Sequence, residues 1–172
     1  MTTHSIKIVP LAGIECDGAK IALAASGKDV EQVLGEPYGT WKDSLYYFNN
    51  ELRFDLDRDG NIEFIEFLGG IDGNIQPTIY GVSAFQIKAD DLYDILSEKN
   101  DGDIDDRENG YSYGFVNISV GVFRSATPES VEEMIEDARE DGEPMDADDI
   151  EDEMRKADHW ATIGIGIENY YR

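Results

Sequence analysis

The chain has 172 residues, 41% hydrophobic and 10% aromatic, with 38 Asp plus Glu against 14 Lys plus Arg and a formal net charge of −24 at pH 7. That apolar content excludes a disordered acidic tail. The negative field repels nucleic acid and anionic lipid, so neither nucleic acid nor membrane is expected as a partner, and basic proteins are attracted at long range. The length fits one domain, 1–172, that buries about 70% of its unfolded surface. The single cysteine, Cys16, excludes an intramolecular disulfide and fits a reducing, cytoplasmic setting. The first residues, Met1 to Val9, carry no charged region followed by a long apolar run, so no secretory signal is expected. No stretch approaches the ~18 apolar residues of a membrane span.

In chain order, Ser26-Gly27-Lys28-Asp29 opens a short helix with Ser26 as cap and Asp29 in the capping-box place. Val30, Val33 and Leu34 follow at helical spacing, and Gly35 and Pro37 stop it. Leu45 to Phe48 is a strand, Asn49-Asn50 a tight turn, and Leu52, Phe54 and Leu56 alternate with charged residues as a second strand. Past Asp59-Gly60-Asn61 an extended pattern resumes from Ile62 through Leu68. The first ~70 residues thus predict a helix followed by a three-stranded antiparallel meander.

Gly69-Gly70 through Pro77 marks a loop, and an extended piece from Tyr80 to Ile87 leads into a helix with Leu92, Ile95 and Leu96 inward, ending near Asn100-Asp101-Gly102. Asp101 to Gly110 is an acidic loop, and Phe115 to Phe123 reads as one strong strand. Thr127-Pro128 starts a third helix with Val131, Met134, Ile135 and Ala138 on one face. Gly142-Glu143-Pro144 ends it, and Ile150, Met154 and Ala157 give a fourth segment of the same period. Trp160 to Tyr171 reads as the last strand.

Two of these strands share a pattern. Val116, Ile118, Val120 and Val122 alternate with Asn117, Ser119 and Gly121, while Ala161, Ile163, Ile165 and Ile167 alternate with Thr162, Gly164 and Gly166. Antiparallel neighbours are expected, with something packed closely on the glycine side. Helix-then-strands recurs in 1–70 and 78–172, a distant repeat of pattern rather than identity. The expected fold class is α+β: an antiparallel sheet, helix followed by meander, with helices on one face or end.

Asp55 to Glu66 matches a calcium loop by residue type, with acids at positions 1, 3 and 5, Gly60 at 6, Ile62 at 8 and Glu66 at 12. A calcium-binding loop needs a helix on each side, whereas the flanks here alternate with period two. A solvated hairpin turn is the favoured expectation; a calcium-binding protein is the alternative. Asp101, Asp103, Asp105, Asp106 and Glu108 form a second acidic loop without that spacing.

Chemistry is sparse. The two histidines are isolated, His4 in a segment expected to fray and His159 ahead of the last strand, and with one cysteine they give no zinc spacing. Glu15 and Asp17 should raise the Cys16 thiol pKa rather than activate it. No nucleophile elbow or phosphate loop occurs. No catalytic residue, metal ligand or cofactor is expected.

The densest charge runs from Glu129 to Asp158, with fifteen acids against Arg139, Arg155 and Lys156. A solvated helix face explains much of it. Pairs such as Glu132–Glu136, Glu133–Asp137 and Glu136–Glu140 nonetheless destabilise a helix by a few tenths of a kcal/mol each, roughly, so retaining them points to a use. The expected partner-binding residues are Glu132, Glu136, Asp137, Glu140, Asp149 and Asp152, with Tyr111 and Tyr113 as aromatic anchors.

Ser26 to Phe67, through Val30, Val33-Leu34-Gly35-Glu36-Pro37, Trp41 to Tyr47 and the Phe54-Asp55 to Asn61-Ile62 hairpin, resembles the α/β unit of SmpA/OmlA-type lipoproteins and of β-lactamase inhibitor protein halves. The resemblance covers about a quarter of the chain and implies protein-binding units with no chemistry of their own. There is no lipobox, so an outer-membrane location does not carry over. In type the whole chain is similar to the small, acidic, cytosolic immunity proteins of bacterial toxin–immunity systems. That similarity implies neutralisation of a basic toxin domain by occluding its surface. A regulator that mimics DNA is the other alternative.

Overall fold

A computed structural model describes residues 4–172, and among them four helices and two sheets form an α+β fold. The smaller sheet is built from β1 (Ile6–Val9), β2 (Gly13–Cys16), β3 (Ala19–Ala22), β8 (Thr78–Ile79) and β9 (Val82–Ser83), in the order β3-β2-β1-β8-β9. All contacts within it are antiparallel except β1 with β8. The larger, eight-stranded sheet runs β10-β11-β12-β13-β7-β6-β5-β4 and is antiparallel throughout. Its strands are β4 (Gly39–Trp41), β5 (Ser44–Tyr47), β6 (Leu52–Leu56), β7 (Ile62–Phe67), β10 (Ile104–Asp105), β11 (Ser112–Phe115), β12 (Val120–Phe123) and β13 (Thr162–Gly166).

Helix α1 (Gly27–Leu34) starts as its sequence predicts. Asp29 N donates to Ser26 Oγ at 3.3 Å and Ser26 N to Asp29 Oδ2 at 3.1 Å, a reciprocal cap worth about 1 kcal/mol. Helix α2 (Ala89–Asn100) buries Leu92 and Leu96. Both helices join one core with Phe54, Ile65, Phe67, Phe115, Val120, Ile163 and Ile165 of the large sheet and Ile8, Ile14, Ile21 and Ile79 of the small one. Helices α3 (Pro128–Glu140) and α4 (Ala147–Ala157) form a hairpin between β12 and β13, each burying a single residue, Val131 and Ala157. Among the described residues no helix is long and apolar enough to cross a membrane.

Several expectations need correction. Residues before Ser26 form β1 to β3, and His4 is fixed rather than frayed: its Nδ1 lies 2.9 Å from Asp17 Oδ2 and its ring 4.6 Å from that of Phe48. Phe115 to Phe123 is a hairpin, not one strand. Val116 to Ser119 turns, with Ser119 at φ 51°. Asn100, 2% exposed at the end of α2, explains the break. Its Oδ1 accepts from Asn117 N at 2.7 Å and Ile118 N at 3.2 Å, and its Nδ2 donates to Asp103 O at 2.9 Å. Those two amides have a buried acceptor and need no strand partner.

The last strand stops at Gly166, and the chain turns back through Asn169 at φ 69°. The expected pairing of the two glycine-faced segments holds between β12 and β13, with Gly121 opposite Gly164. What packs on that face is the returning chain together with Phe64 of β7. Tyr171 lies over Gly114 and Gly121, Tyr170 against Gly166, and Phe64 over Gly164. Phe64 and Tyr170 stack with centroids 4.6 Å apart. A side chain at these glycines would displace the rings.

The Asp55–Glu66 stretch is a hairpin, with β6 and β7 on its flanks where a calcium loop needs helices. Asp57 Oδ1 accepts from Asp59 N at 2.9 Å and Asn61 N at 3.0 Å, so that carboxylate closes its own turn. Asp55 and Glu66 lie on neighbouring strands and both hold Arg53. Arg53 Nη2 is 3.1 Å from Glu66 Oε1 and Nε is 2.9 Å from Asp55 Oδ1, the latter off the donor axis. Burial holds the Glu66 carboxyl above its usual range, although Arg53 pulls it down. The would-be ligands therefore surround a guanidinium or a backbone turn rather than a vacant point.

Candidate functional site: an acidic cleft with aromatic walls

A cleft of about 450 Å³ opens between the start of α2, the turn before β11 and the first turns of α3. It is lined by Asp90, Asn109, Gly110, Tyr111, Tyr113, Arg124, Glu129 and Glu133, among others. A second recess, sharing Asp90, Tyr113 and Arg124, adds Tyr93, Asp94 and Trp160. The acids have local reasons to be where they are. Asp90 stands in the first turn of α2 and Glu129 in the first turn of α3, where helix dipoles favour negative charge. Thr127 caps α3, accepting from Ser130 N at 3.1 Å, while Thr127 N donates to Ser130 Oγ at 2.9 Å. The cap fixes the direction in which Glu129 and Glu133 leave the helix.

The walls are braced by ring contacts and hydrogen bonds. Tyr93 meets Tyr113 edge-on at 4.8 Å and Phe115 at 5.6 Å, and Tyr113 meets Trp160 at 5.9 Å. Gly110 N donates to the Tyr113 hydroxyl and that hydroxyl donates to Asn109 Oδ1, both at 2.8 Å. Arg124, 7% exposed, closes the base. Its Nε donates to Gly110 O and its Nη1 to Ala157 O, each at 2.7 Å, and its guanidinium lies 4.8 Å from the Trp160 ring centre. Trp160 Nε1 donates to Ala89 O at 3.1 Å, which ties the wall to α2. Together the two recesses are lined by four carboxylates and one cation, and two donors of that cation are already used by backbone.

Of the sequence-predicted residues, Tyr111 and Tyr113 both line the cleft. Tyr111 is 38% exposed and stands as an open anchor, whereas Tyr113 is a half-buried wall that packs on the core. On α3, Glu136 and Glu140 continue the row of Glu129 and Glu133 by helical spacing, with Glu132 and Asp137 at its flanks. Glu136 also pairs with Arg139 at 3.2 Å. None of Glu132, Glu136, Asp137 and Glu140 lines the cleft, and neither do Asp149 and Asp152 of α4. Asp149 is exposed. Asp152 is engaged internally, 2.9 Å from Arg155 and 3.0 Å from Lys156. Arg155 also forks onto Asp72 at 3.0 and 3.1 Å, binding α4 to the loop after β7.

Sequence reasoning did not single out Asp90, Tyr93, Asn109 or Arg124, and it did not place Glu129 and Glu133 among the partner-binding residues. Arg124 carried a signal: it is a lone basic residue directly after an apolar strand, in a chain poor in Lys and Arg. For Cys16 the expected direction holds, since the thiol is pushed up to about 11, by burial first and by Asp17 second. Compared with protein-family models, with curated proteins and with solved structures, the chain matches none.

Proposed function

We propose that this chain is a non-catalytic binding module that neutralises or regulates a basic protein partner, in the manner of an immunity-type inhibitor of a toxin domain. The observation that carries the proposal is the meeting of Tyr111 and Tyr113 with Asp90, Glu129 and Glu133 in one cleft. Carboxylates around an aromatic-walled recess suit a Lys or Arg side chain, which gains ion pairs at the rim and ring faces along its stem. The net charge of −24 accelerates encounter with a basic surface. The braced aromatic wall reduces the side-chain ordering that binding requires and so lengthens residence.

Paired capture from host lysate tests this. Wild type and an Asp90→Asn/Glu129→Gln/Glu133→Gln variant are immobilised side by side at low salt. A basic protein held by wild type, released by salt and missing from the variant is the expected result. The same basic protein retained equally by both would place docking outside the cleft.

A further inference from the structure

We propose that His4, Cys16 and Asp17 form a three-donor site for a borderline divalent transition-metal ion of the Zn²⁺ or Co²⁺ type. The residues are far from any zinc spacing in sequence, yet the β1–β2 and β2–β3 turns bring one imidazole, one thiol and one carboxylate together. Their ligand atoms all lie within 4.8 Å of one another. Donors around a tetrahedral ion with bonds of about 2.0–2.3 Å sit roughly 3.3–3.8 Å apart. His4 Nδ1 is 2.9 Å and Cys16 Sγ 3.9 Å from the same oxygen, Asp17 Oδ2. The His4 and Asp17 side chains, both partly exposed, are free to adjust toward that spacing.

Each donor is oriented by a separate contact. Cys16 ends β2 opposite Ile6 and is buried. Asp17 takes a left-handed φ of 51° ahead of Gly18 at φ 87°, which swings its carboxylate back over β1. There Oδ1 accepts from Ser5 N at 2.8 Å, leaving Oδ2 toward the other donors. The His4 ring leans on Phe48. Outer contacts of this kind hold metal ligands in place. Imidazole, thiolate and carboxylate together match zinc-type preference, and the two anionic donors neutralise a divalent ion. The exposed side of Asp17 leaves a position for water or for a group from a partner. On binding, the Cys16 thiol gives its proton to solvent as the sulfur–metal bond forms.

An ion pair between His4 and Asp17 that merely pins β1 would need neither the thiol nor a metal, and this separates the two explanations. The full chain without any tag, kept reduced, is titrated with Co²⁺ and followed by absorption. One equivalent should produce a thiolate-to-cobalt charge-transfer band that Zn²⁺ abolishes. Cys16→Ser should remove the band, and His4→Ala or Asp17→Asn should weaken Co²⁺ binding tenfold or more. His4→Ala removes a partly exposed ring outside the hydrophobic core, and circular dichroism checks that each variant is folded. A folded wild type with no such band, or a band unchanged in Cys16→Ser or in His4→Ala, overturns the proposal.

Discussion

Replacing Asn100 by Ala removes the acceptor that turns the chain between β11 and β12. The side chain makes three hydrogen bonds in a site 2% exposed, to Asn117 N, Ile118 N and Asp103 O. Each is worth about 1 kcal/mol net, and a buried group left unpaired costs about 1–3 kcal/mol. Water reaching the half-exposed end of the turn offsets part of this, so the expected loss is about 3 kcal/mol. Urea unfolding of wild type and Asn100→Ala, monitored by circular dichroism, measures it. Amide exchange at Asn117 and Ile118 should accelerate together. Because the same hairpin carries Tyr113 and Arg124, partner affinity should fall with it. A stability change below about 1 kcal/mol with both amides still protected would refute the argument that a buried amide, rather than the local sequence, sets this turn.

Gly121→Ala places a methyl against the Tyr171 ring and should cost about 2 kcal/mol. The cost should shrink to under about 0.5 kcal/mol in a Tyr171→Ala background, and additive losses in the double variant would contradict the strap over the glycine face. Arg124→Lys loses the forked bonds to Gly110 O and Ala157 O and the contact with Trp160, with an expected loss of about 2 kcal/mol by thermal or urea unfolding. An unchanged midpoint would mean that Arg124 does not hold the base. The bond from Arg155 to Asp72, and those from Lys156 and Arg155 to Asp152, keep both carboxyls below their usual range. A carboxyl lowered by folding contributes stability above the unfolded pKa and loses it as pH falls through the folded value. The α4–loop tie should therefore hold at about pH 5 and open only below about pH 4. Carboxyl NMR titrations with ordinary midpoints at both residues would contradict this.

Local chemistry made much of the fold legible. The Ser26–Asp29 box, the Thr127-Pro128 start and the period-two flanks of Asp59-Gly60 each fix an element through groups close in sequence. The alternation of Val120 and Val122 against Ile163 and Ile165 was enough to pair β12 with β13. Where the decisive partner is distant, sequence reading failed. Nothing near Val116 shows that Asn100 will take two amides from that run. Nothing near Tyr170 shows that it will turn back to cover Gly166 of β13. The strands β1 to β3 are four residues each, too short for alternation to stand out. At the cleft, residue type identified Tyr111 and Tyr113 and the helix that supplies acids, but not Glu129 and Glu133, the two acids of α3 that line it. The pairing of Asp152 with Arg155 and Lys156 is a local helical spacing that sequence reading missed, whereas only the fold shows that Arg155 reaches Asp72 and that Tyr113 is a wall.

The most direct test of the cleft as the docking site is an amide NMR titration of the full chain with a short arginine-rich peptide, a minimal basic ligand, at low and moderate salt. The account predicts saturable shifts centred on Tyr111, Tyr113, Arg124, Glu129 and Glu133, weakened by salt and by Asp90→Asn/Glu129→Gln/Glu133→Gln. Shifts spread evenly over Glu132 to Glu153, or centred on Asp149 with the cleft silent, would contradict it.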